Sequence, residues 1–295
     1  MSTPELRITK PDRVLWPMGG LTKRWMLGYY AEVAPLLLRH VADHPVTLHR
    51  FPEGVDGPHW YQTRAPSHPD WVRTVTFRPE RSGKVFDVVV IDDAPSLLWA
   101  AQIGGIEIHP YLGTSGDLEH PTLAVFDLDP GPGCDILDVA RVALDVRDVL
   151  DALDVTSFVK TSGQKGLHVL VPLDRSQTYD EVKPFARAIA ALLTNERADA
   201  VTDNMAKHAR DGKVLIDWSQ NDAGKSTVAP YSLRGTRVPL VSMPMTWDEV
   251  ESAVEDGVRR RFVFTADDSL ARIERVGDLL SPMFDGAVRL PTAPR

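Results

Sequence analysis

The chain has 295 residues, 43% hydrophobic and 25% charged, with a formal net charge of −8 and a single cysteine, Cys134. That is an ordinary globular balance, with room for one large α/β unit or two closely joined halves. It excludes a disulfide scaffold and a cysteine-based zinc site, and short, interrupted apolar runs with no signal-peptide core at residues 1–10 predict a soluble cytoplasmic protein.

In chain order, apolar residues at helical spacing predict a helix over Leu21–Val41, closing before the turn signal Asp43-His44-Pro45. Val85–Ile91 reads as a strand, Ala94–Ile103 as a helix ended by Gly104-Gly105, and Ile106–His109 as a short strand. Leu123–Asp129 is an apolar strand that turns acidic at its end and is stopped by Pro130-Gly131-Pro132-Gly133. Asp135 is placed to cap a helix with apolar positions Ile136, Val139, Ala140, Ala143, Val146, Leu150 and Leu153. Val155–Lys160 and Leu167–Val171 predict a β-pair around the turn 161–166, followed by a helix over Tyr179–Leu193 and a strand over Val214–Asp217. This irregular alternation predicts mixed sheets with helices packed outside. No repeat or linker divides the chain, so it reads as one module over 1–295, with a core at about 10–247 and a helical or irregular extension at 248–295.

Strand side chains alternate faces, so Asp127 and Asp129 project from one side while Leu128 points into the core. Two such carboxylates repel unless a cation lies between them, and Mg²⁺ or Mn²⁺ takes hard oxygen ligands suited to phosphoryl chemistry. Asp217 offers a third carboxylate at the end of Val214-Leu215-Ile216-Asp217. An isolated D-x-D is weak evidence, and it fits metal-dependent glycosyltransferases and nucleases as well. Ser162-Gly163-Gln164-Lys165-Gly166 is a tight turn whose amides can converge on an anion, with His168 just beyond, but it lacks Walker A spacing and such a turn on its own is more often a plain hairpin turn. Arg234, in Tyr231-Ser232-Leu233-Arg234-Gly235, is suited to bidentate phosphate contact.

The negative charge counts against a nucleic-acid partner, because phosphate affinity comes largely from Lys and Arg. It is unevenly spread. Residues 127–160 hold eight acids against three bases and 248–285 ten against five, whereas 1–80 and 203–240 each carry two more bases than acids. A phosphate-binding surface is to be sought in the second pair, although ordinary solvated faces are the commoner origin of such a pattern.

Four blocks in register carry a resemblance: Phe126-Asp127-Leu128-Asp129-Pro130-Gly131, Thr161-Ser162-Gly163-Gln164-Lys165-Gly166-Leu167-His168, Ile216-Asp217-Trp218-Ser219-Gln220-Asn221 and Ala229-Pro230-Tyr231-Ser232-Leu233-Arg234-Gly235. Together they resemble the polymerase domain of bacterial ATP-dependent DNA ligase D, of the archaeo-eukaryotic primase superfamily, over about Lys10–Trp247. The resemblance implies an α/β (α+β) fold of two intimately packed subdomains, with mixed and antiparallel sheets flanked by helices and an RNA-recognition-motif-like catalytic subdomain. It implies two divalent ions, Mn²⁺ or Mg²⁺, on Asp127, Asp129 and Asp217, with His109 nearby. The incoming NTP or dNTP falls to Ser162, Lys165, His168, Gln220 and Arg234. Arg13 and Lys23 match residues that grip a 5′-phosphate, and with Arg50, Trp60 and Tyr61 they make the DNA-binding set. Trp60-Tyr61 stands where the family has two phenylalanines; from the residues alone these read as core aromatics, yet any aromatic face can stack on a base.

Two departures qualify the match. Thr236 stands where relatives can carry a second arginine, with Arg237 one place later, and Ala209-Arg210-Asp211-Gly212 has Arg where a ligase nucleophile motif requires Lys. The expectation is therefore a stand-alone, monomeric, two-metal nucleotidyltransferase that adds nucleotides, preferentially ribonucleotides, to a primer 3′-hydroxyl at gaps or broken ends carrying a 5′-phosphate. Sealing is left to a separate DNA ligase, and a Ku-like end-binding protein is a candidate partner. It would act on the nucleoid and away from membranes. A metal-dependent nuclease and a non-catalytic DNA-end adaptor are the alternatives.

Overall fold

The computed structural model describes residues 6–79 and 83–291. Its first half contains β1 (Val14–Trp16), β2 (Leu21–Thr22), α1 (Lys23–Val41), β3 (Pro45–Arg50), β4 (Trp60–Gln62), β5 (Thr74–Phe77), β6 (Phe86–Val90), α2 (Ala94–Gln102), β7 (Gly105–Pro110), β8 (Gly113–Thr114) and β9 (Asp117–Pro121). The second contains β10 (Leu123–Pro130), α3 (Ile136–Asp151), β11 (Phe158–Thr161), β12 (Leu167–Pro172), α4 (Tyr179–Glu196), β13 (Val201–Thr202), β14 (Val214–Asp217), β15 (Pro244–Met245), α5 (Trp247–Glu255) and α6 (Ala266–Val276).

Two sheets organise the molecule. In the first, β3 pairs antiparallel with β7 along one edge, and with β6 and β4 on the other, while β5 extends β6. Tyr30, Val33 and Leu37 of α1 and Leu97 and Ala101 of α2 pack on Val46, Leu48, Ile106 and Ile108 of this sheet. The second sheet has six strands in the order β13-β14-β10-β12-β11-β15, antiparallel apart from the β13–β14 pair. Ala124, Phe126 and Leu128 of β10 share its core with Val139, Ala143 and Val146 of α3 and Ile189 and Leu193 of α4. Phe126 is fully buried there, so Phe126→Ala would cost about 3–5 kcal/mol.

The helix ends follow from local chemistry. Asp135 caps α3 by accepting from Leu137 N at 2.8 Å, and Asp138 reciprocates to Asp135 N at 2.9 Å. Thr22 caps α1, so the helix begins at Lys23 rather than Leu21, which is spent on the β1–β2 ribbon. The β11 strand begins at Phe158, later than its apolar pattern predicts.

The chain does not keep its halves apart. Ala229, Tyr231, Leu233 and Val241, which lie in sequence between β14 and β15 of the second sheet, return to the first core. Tyr231 takes a left-handed conformation at φ +65°, costly for a non-glycine residue. It is held there from several sides: its hydroxyl donates to Asp278 Oδ1 at 2.7 Å, its carbonyl accepts from Tyr29 at 2.9 Å, and its amide donates to Ser242 O at 2.8 Å. Arg234 is thereby carried on a braced crossover between the sheets. Beyond residue 247, α5 sends Val250 and Ala253 into the second core, and Ala266 of α6 enters the first. Among the described residues no helix is long and apolar enough to cross a membrane.

Candidate active site

With Ala124, Phe126 and Leu128 committed to the core, alternation turns Val125, Asp127 and Asp129 to the opposite face of β10. Because β10 lies between β14 and β12, register does the rest. Asp127 stands opposite Asp217 on one side and His168 on the other, and His168 stands opposite Lys160 of β11. An acid, an acid, an imidazole and an amine thus form one row across four strands, with Asp129 two residues along the central one. The three predicted carboxylates do share this face.

Like charges opposite each other destabilise a sheet. Gln220 sits against both, its Nε2 3.3 Å from Asp127 Oδ2 and 3.3 Å from Asp217 Oδ2. His168 Nε2 lies 3.2 Å from Asp127 Oδ1. Burial works to raise the Asp127 carboxyl, but His168, Lys160 and Arg234 outweigh it and hold the group below its ordinary range. Asp129 goes the other way. Burial, then the charges of Asp127 and Asp217, push it up to about 6. Among the described residues, no three His, Cys, Asp or Glu side chains stand close enough to form a ready metal cage. The fit to a divalent cation lies instead in the donor chemistry, three hard carboxylates on one face whose mutual repulsion a cation would relieve.

Asp127, Asp129, His168 and Gln220 line a cleft of about 420 Å³ that also takes in Tyr61, His109, Ser162, Lys165 and Arg234; Asp217 stands one strand over, tied to its edge through Gln220. The turn between β11 and β12 forms one wall. Gly163 adopts φ +71°, and a Cβ there would lie 2.7 Å from Arg234 Cγ and 2.8 Å from Ser242 N, so only glycine fits. Two of the turn's amides are spent internally: Gly166 N and Gln164 N donate to Ser162 Oγ at 3.1 and 3.3 Å, which tightens the turn. Lys165 is exposed. Two buried polar atoms on residues lining the cleft, His168 Nδ1 and Arg234 Nε, have no hydrogen-bond partner among the described residues, and buried groups of this kind are suited to hold a polar ligand. Behind them Lys160 is fully buried, its Nζ donating to Ser242 Oγ at 2.7 Å. Burial and the neighbouring Arg234 pull its pKa well below the ordinary value.

Glu107 was not legible as a site residue. It is 1% exposed and joins three parts of the fold. Its Oε2 meets His109 Nε2 at 2.8 Å, Arg234 Nη1 at 3.3 Å and His49 Nδ1 at 3.3 Å, the last without hydrogen-bond alignment, while Oε1 accepts from Gly235 N at 2.9 Å. Burial opposes its ionisation, but His109, His49 and Arg234 hold it far below the usual carboxylate range. Burial pulls His109 down to about 4 in spite of Glu107, so the imidazole is neutral near pH 7. The only sequence signal was Glu107 and His109 two apart on one strand, which puts them on one face. Arg210 is a second omission. It lines the cleft beside Asp129 and lowers that carboxyl's pKa against the dominant effects of burial and like charge.

The residues predicted to meet DNA lie outside this cleft, apart from Tyr61. Trp60 and Tyr61, on the β4 edge, are 42% and 58% exposed and so are not core aromatics. Tyr61 stacks on His49 at 4.1 Å between ring centroids, and the Arg50 guanidinium sits 5.3 Å from the Trp60 ring. Arg50 also donates to Ile103 O at 2.8 and 3.0 Å. Arg13 donates to Pro52 O at 2.8 Å and to Glu53 at 2.6 Å. Lys23 is buried, its ammonium donating to Thr9 O at 3.0 Å and Gln102 O at 2.9 Å. Burial, then Arg13 and Lys10, lower its pKa.

Residues 22–280 match the family model described as LigD, primase-polymerase domain. The chain is 40% identical over 288 residues to a multifunctional non-homologous end joining protein LigD of Mycobacterium bovis, covering 95% of this chain and 37% of that protein. It is 37% identical over 281 residues to the corresponding protein of Mycolicibacterium smegmatis, covering 94% and 36%. It therefore spans little more than a third of these relatives. Among solved structures, the polymerase domain from Mycobacterium tuberculosis ligase D in complex with DNA superposes with a TM-score of 0.87 at 39% identity, covering 96% of this chain and 99% of that one.

Proposed function

The chain belongs to the LigD primase-polymerase domain family, and on that premise we propose that it is a DNA-repair nucleotidyltransferase that extends a primer 3′-hydroxyl at gaps or broken ends, with release of pyrophosphate. The observation that carries this reading is the row Asp217–Asp127–His168–Lys160 with Asp129 beside it, of which Asp127, Asp129 and His168 line a cleft together with Lys165, Arg210 and Arg234. Carboxylates and cations lining one cleft suit a substrate that brings divalent ions and a triphosphate together.

Asp127, Asp129 and Asp217 would hold two divalent ions, Mn²⁺ or Mg²⁺. Such ions, when bound, favour the ionised primer hydroxyl and neutralise charge on the departing phosphates. Lys165, Arg234 and His168 would orient the triphosphate, with Arg234 Nε and His168 Nδ1 gaining the partners they lack in the free protein. Ser162 has a hydroxyl hydrogen free to donate while its oxygen accepts from the turn. Gln220 would leave the carboxylates on ion binding and turn to the nucleotide. Glu107 keeps Arg234 and His109 in place, and a neutral His109 donates or accepts a hydrogen bond without adding charge.

The exposed Trp60 and Tyr61 faces would stack on template bases, with Arg50 bracing Trp60. Lys10, Arg13 and Lys23 act on one another electrostatically in one corner of the first subdomain, which supports a 5′-phosphate grip there once Arg13 exchanges Glu53 for the phosphate. Preference for ribonucleotides, and a DNA ligase activity and a Ku-like protein working with it, complete the reading. The test is extension of a short-gapped, 5′-phosphorylated duplex with NTPs or dNTPs in Mg²⁺ or Mn²⁺. Incorporation by the wild type and none by Asp127→Asn is expected. Shortening of the strands without nucleotide would make the protein a nuclease, and DNA binding without incorporation an adaptor.

A further inference from the structure

A second cleft of about 450 Å³ lies between α5 and α6, walled by Arg260, Arg261, Arg272 and Arg275 against Glu249 and Asp268. The two acids are already engaged. Glu249 accepts from Thr246 N at 2.9 Å and Asp268 from Thr265 N at 3.1 Å, each closing the capping box of its helix. Their charge is shared with the helix N-termini they cap, so the four guanidinium groups leave the cleft cationic. Arg260 pairs with Asp268 at 3.0 Å, and Arg261 pairs with Asp256 at 2.7 Å while donating to Ser252 at 2.8 Å. These are exposed pairs, worth about 0–1 kcal/mol and readily exchanged for a stronger anion. Arg275 makes no ion pair among the described residues.

The deepest group is unusual. Arg272 is 7% exposed, forms an ion pair with Glu249 and contacts Pro244 O through Nη2, and leaves its buried Nε without a partner among the described residues. An orphaned guanidinium N–H in the wall of a cation-lined cleft is what an anion would complete.

The cleft is also connected. A further depression of about 450 Å³ shares Arg260 and Val263 with it, and shares Pro130, Gln164 and Lys165 with the active-site cleft. A path with Lys165, Arg259 and Arg260 along it therefore leads from the active-site cleft to Arg272, its one lining carboxylate outside the Arg272 cleft, Asp135, being paired with Arg259 at 2.5 Å. Trp60 and Tyr61, the exposed aromatics suited to bases, do not line it, and of its two rings Phe262 is buried and Phe264 is taken by the Arg272 guanidinium at 5.4 Å. The walls thus recognise phosphate oxygens and not bases.

We propose that the Arg260–Arg272–Arg275 cleft is a second phosphate site that takes inorganic pyrophosphate, receiving it along the arginine path from the active site. The identity of the anion as a reaction product rests on the polymerase reading; the site itself does not.

The test titrates the intact chain with sodium pyrophosphate in EDTA, by calorimetry, for wild type, Arg260→Ser/Arg275→Ser and Lys165→Ala. Both replaced arginines are exposed, so the urea midpoint is expected to hold. Binding at least tenfold weaker in the double variant, with this site retained in Lys165→Ala, supports the proposal. Superimposable titrations of wild type and double variant overturn it. So does a double variant that keeps pyrophosphate affinity and loses affinity for a single-stranded oligonucleotide, which would assign the groove to nucleic acid. Primer extension in Mn²⁺ on the same wild-type sample separates the two readings: no extension sinks the polymerase assignment, while the metal-free titration still decides the arginine site.

Discussion

Glu107→Gln isolates the contact on which both subdomains depend. The substitution keeps the shape and removes the charge that Arg234 and His109 share, leaving an 8% exposed guanidinium without its carboxylate. Breaking a buried ion pair from one side costs about 3–5 kcal/mol. The amide retains one acceptor for Gly235 N or His109, so the lower end, about 3 kcal/mol at pH 7, is expected from urea unfolding. The pH dependence carries more information. Glu107 has a folded pKa far below its unfolded 4.5, so its stabilisation is complete above pH 4.5 and is lost as pH falls towards the folded value. His109 is lowered from 6.5 to about 4, so the native state holds it neutral and stability falls by roughly 3 kcal/mol between those pH values as the unfolded chain takes up the proton. The His109 loss occurs in both proteins over that range. The Glu107 part belongs to wild type only, so the gap between the two is flat from pH 7 to about 5 and narrows below 4.5. Primer-extension kcat/KM is expected to fall by roughly two orders of magnitude, as for a misplaced positioning group. A loss under 1 kcal/mol at pH 7, or a gap unchanged down to pH 4, would refute the assignment of Glu107 as the ionised anchor of Arg234.

Asp129→Asn tests the repulsion among the carboxylates. A carboxyl held up at about 6 against an ordinary 3.8 destabilises the fold at pH 7, so the metal-free variant should gain roughly 1–3 kcal/mol in urea while losing incorporation. Added Mn²⁺ should raise the melting temperature of wild type and leave the variant unmoved; an equal rise in both would remove Asp129 from the ion site. Gly163→Ala puts a methyl group 2.7 Å from Arg234 Cγ at φ +71°, and should cost about 1–3 kcal/mol of stability and raise the KM for nucleotide, with gapped-DNA affinity unchanged in a fluorescence titration. Trp60→Ala removes a side chain that is 42% exposed. Its melting temperature should barely shift while template affinity falls by about 1–3 kcal/mol, and unaltered DNA affinity would argue against a stacking role.

What the sequence reveals here is set by distance along the chain. The β10 strand and the Asp135 cap of α3 are legible because period-2 alternation and a capping side chain act within a few residues. Two of the three site aspartates come with them, since the acid-apolar-acid pattern fixes the face of both. Asp217 and His168 join that row only through strand order, which no local pattern encodes; the blocks shared with a known family supplied it. Pro45–Arg50 was missed as a strand for a related reason. Its Val46-Thr47-Leu48-His49 run alternates apolar and polar, but over four residues only and directly after a turn signal, and the partners that make it a strand come from β4, β6 and β7, remote in sequence. Glu107 carries no local mark as a site residue, being one acid in a short strand. Its partners come from residues 49, 109 and 234–235, and only the crossover of the Arg234 segment into the first core brings them together.

The same reasoning disposes of the net charge of −8 as evidence about partners. Asp93, Asp135, Asp138, Glu181, Glu249 and Asp268 are all engaged in capping boxes, where each negative charge faces the positive end of a helix. Others on α3 are paired outward, as Asp145 is with Arg197 and Asp148 with Arg147. Charges fixed in this way serve local structure, and across more than a Debye length of about 8–10 Å they are screened from a ligand in the cleft. The cations lining the cleft that a phosphate meets are Lys165, Arg210 and Arg234. A partner's charge is therefore read from the groups lining a site; the total over the chain includes acids already engaged in helix caps and ion pairs elsewhere.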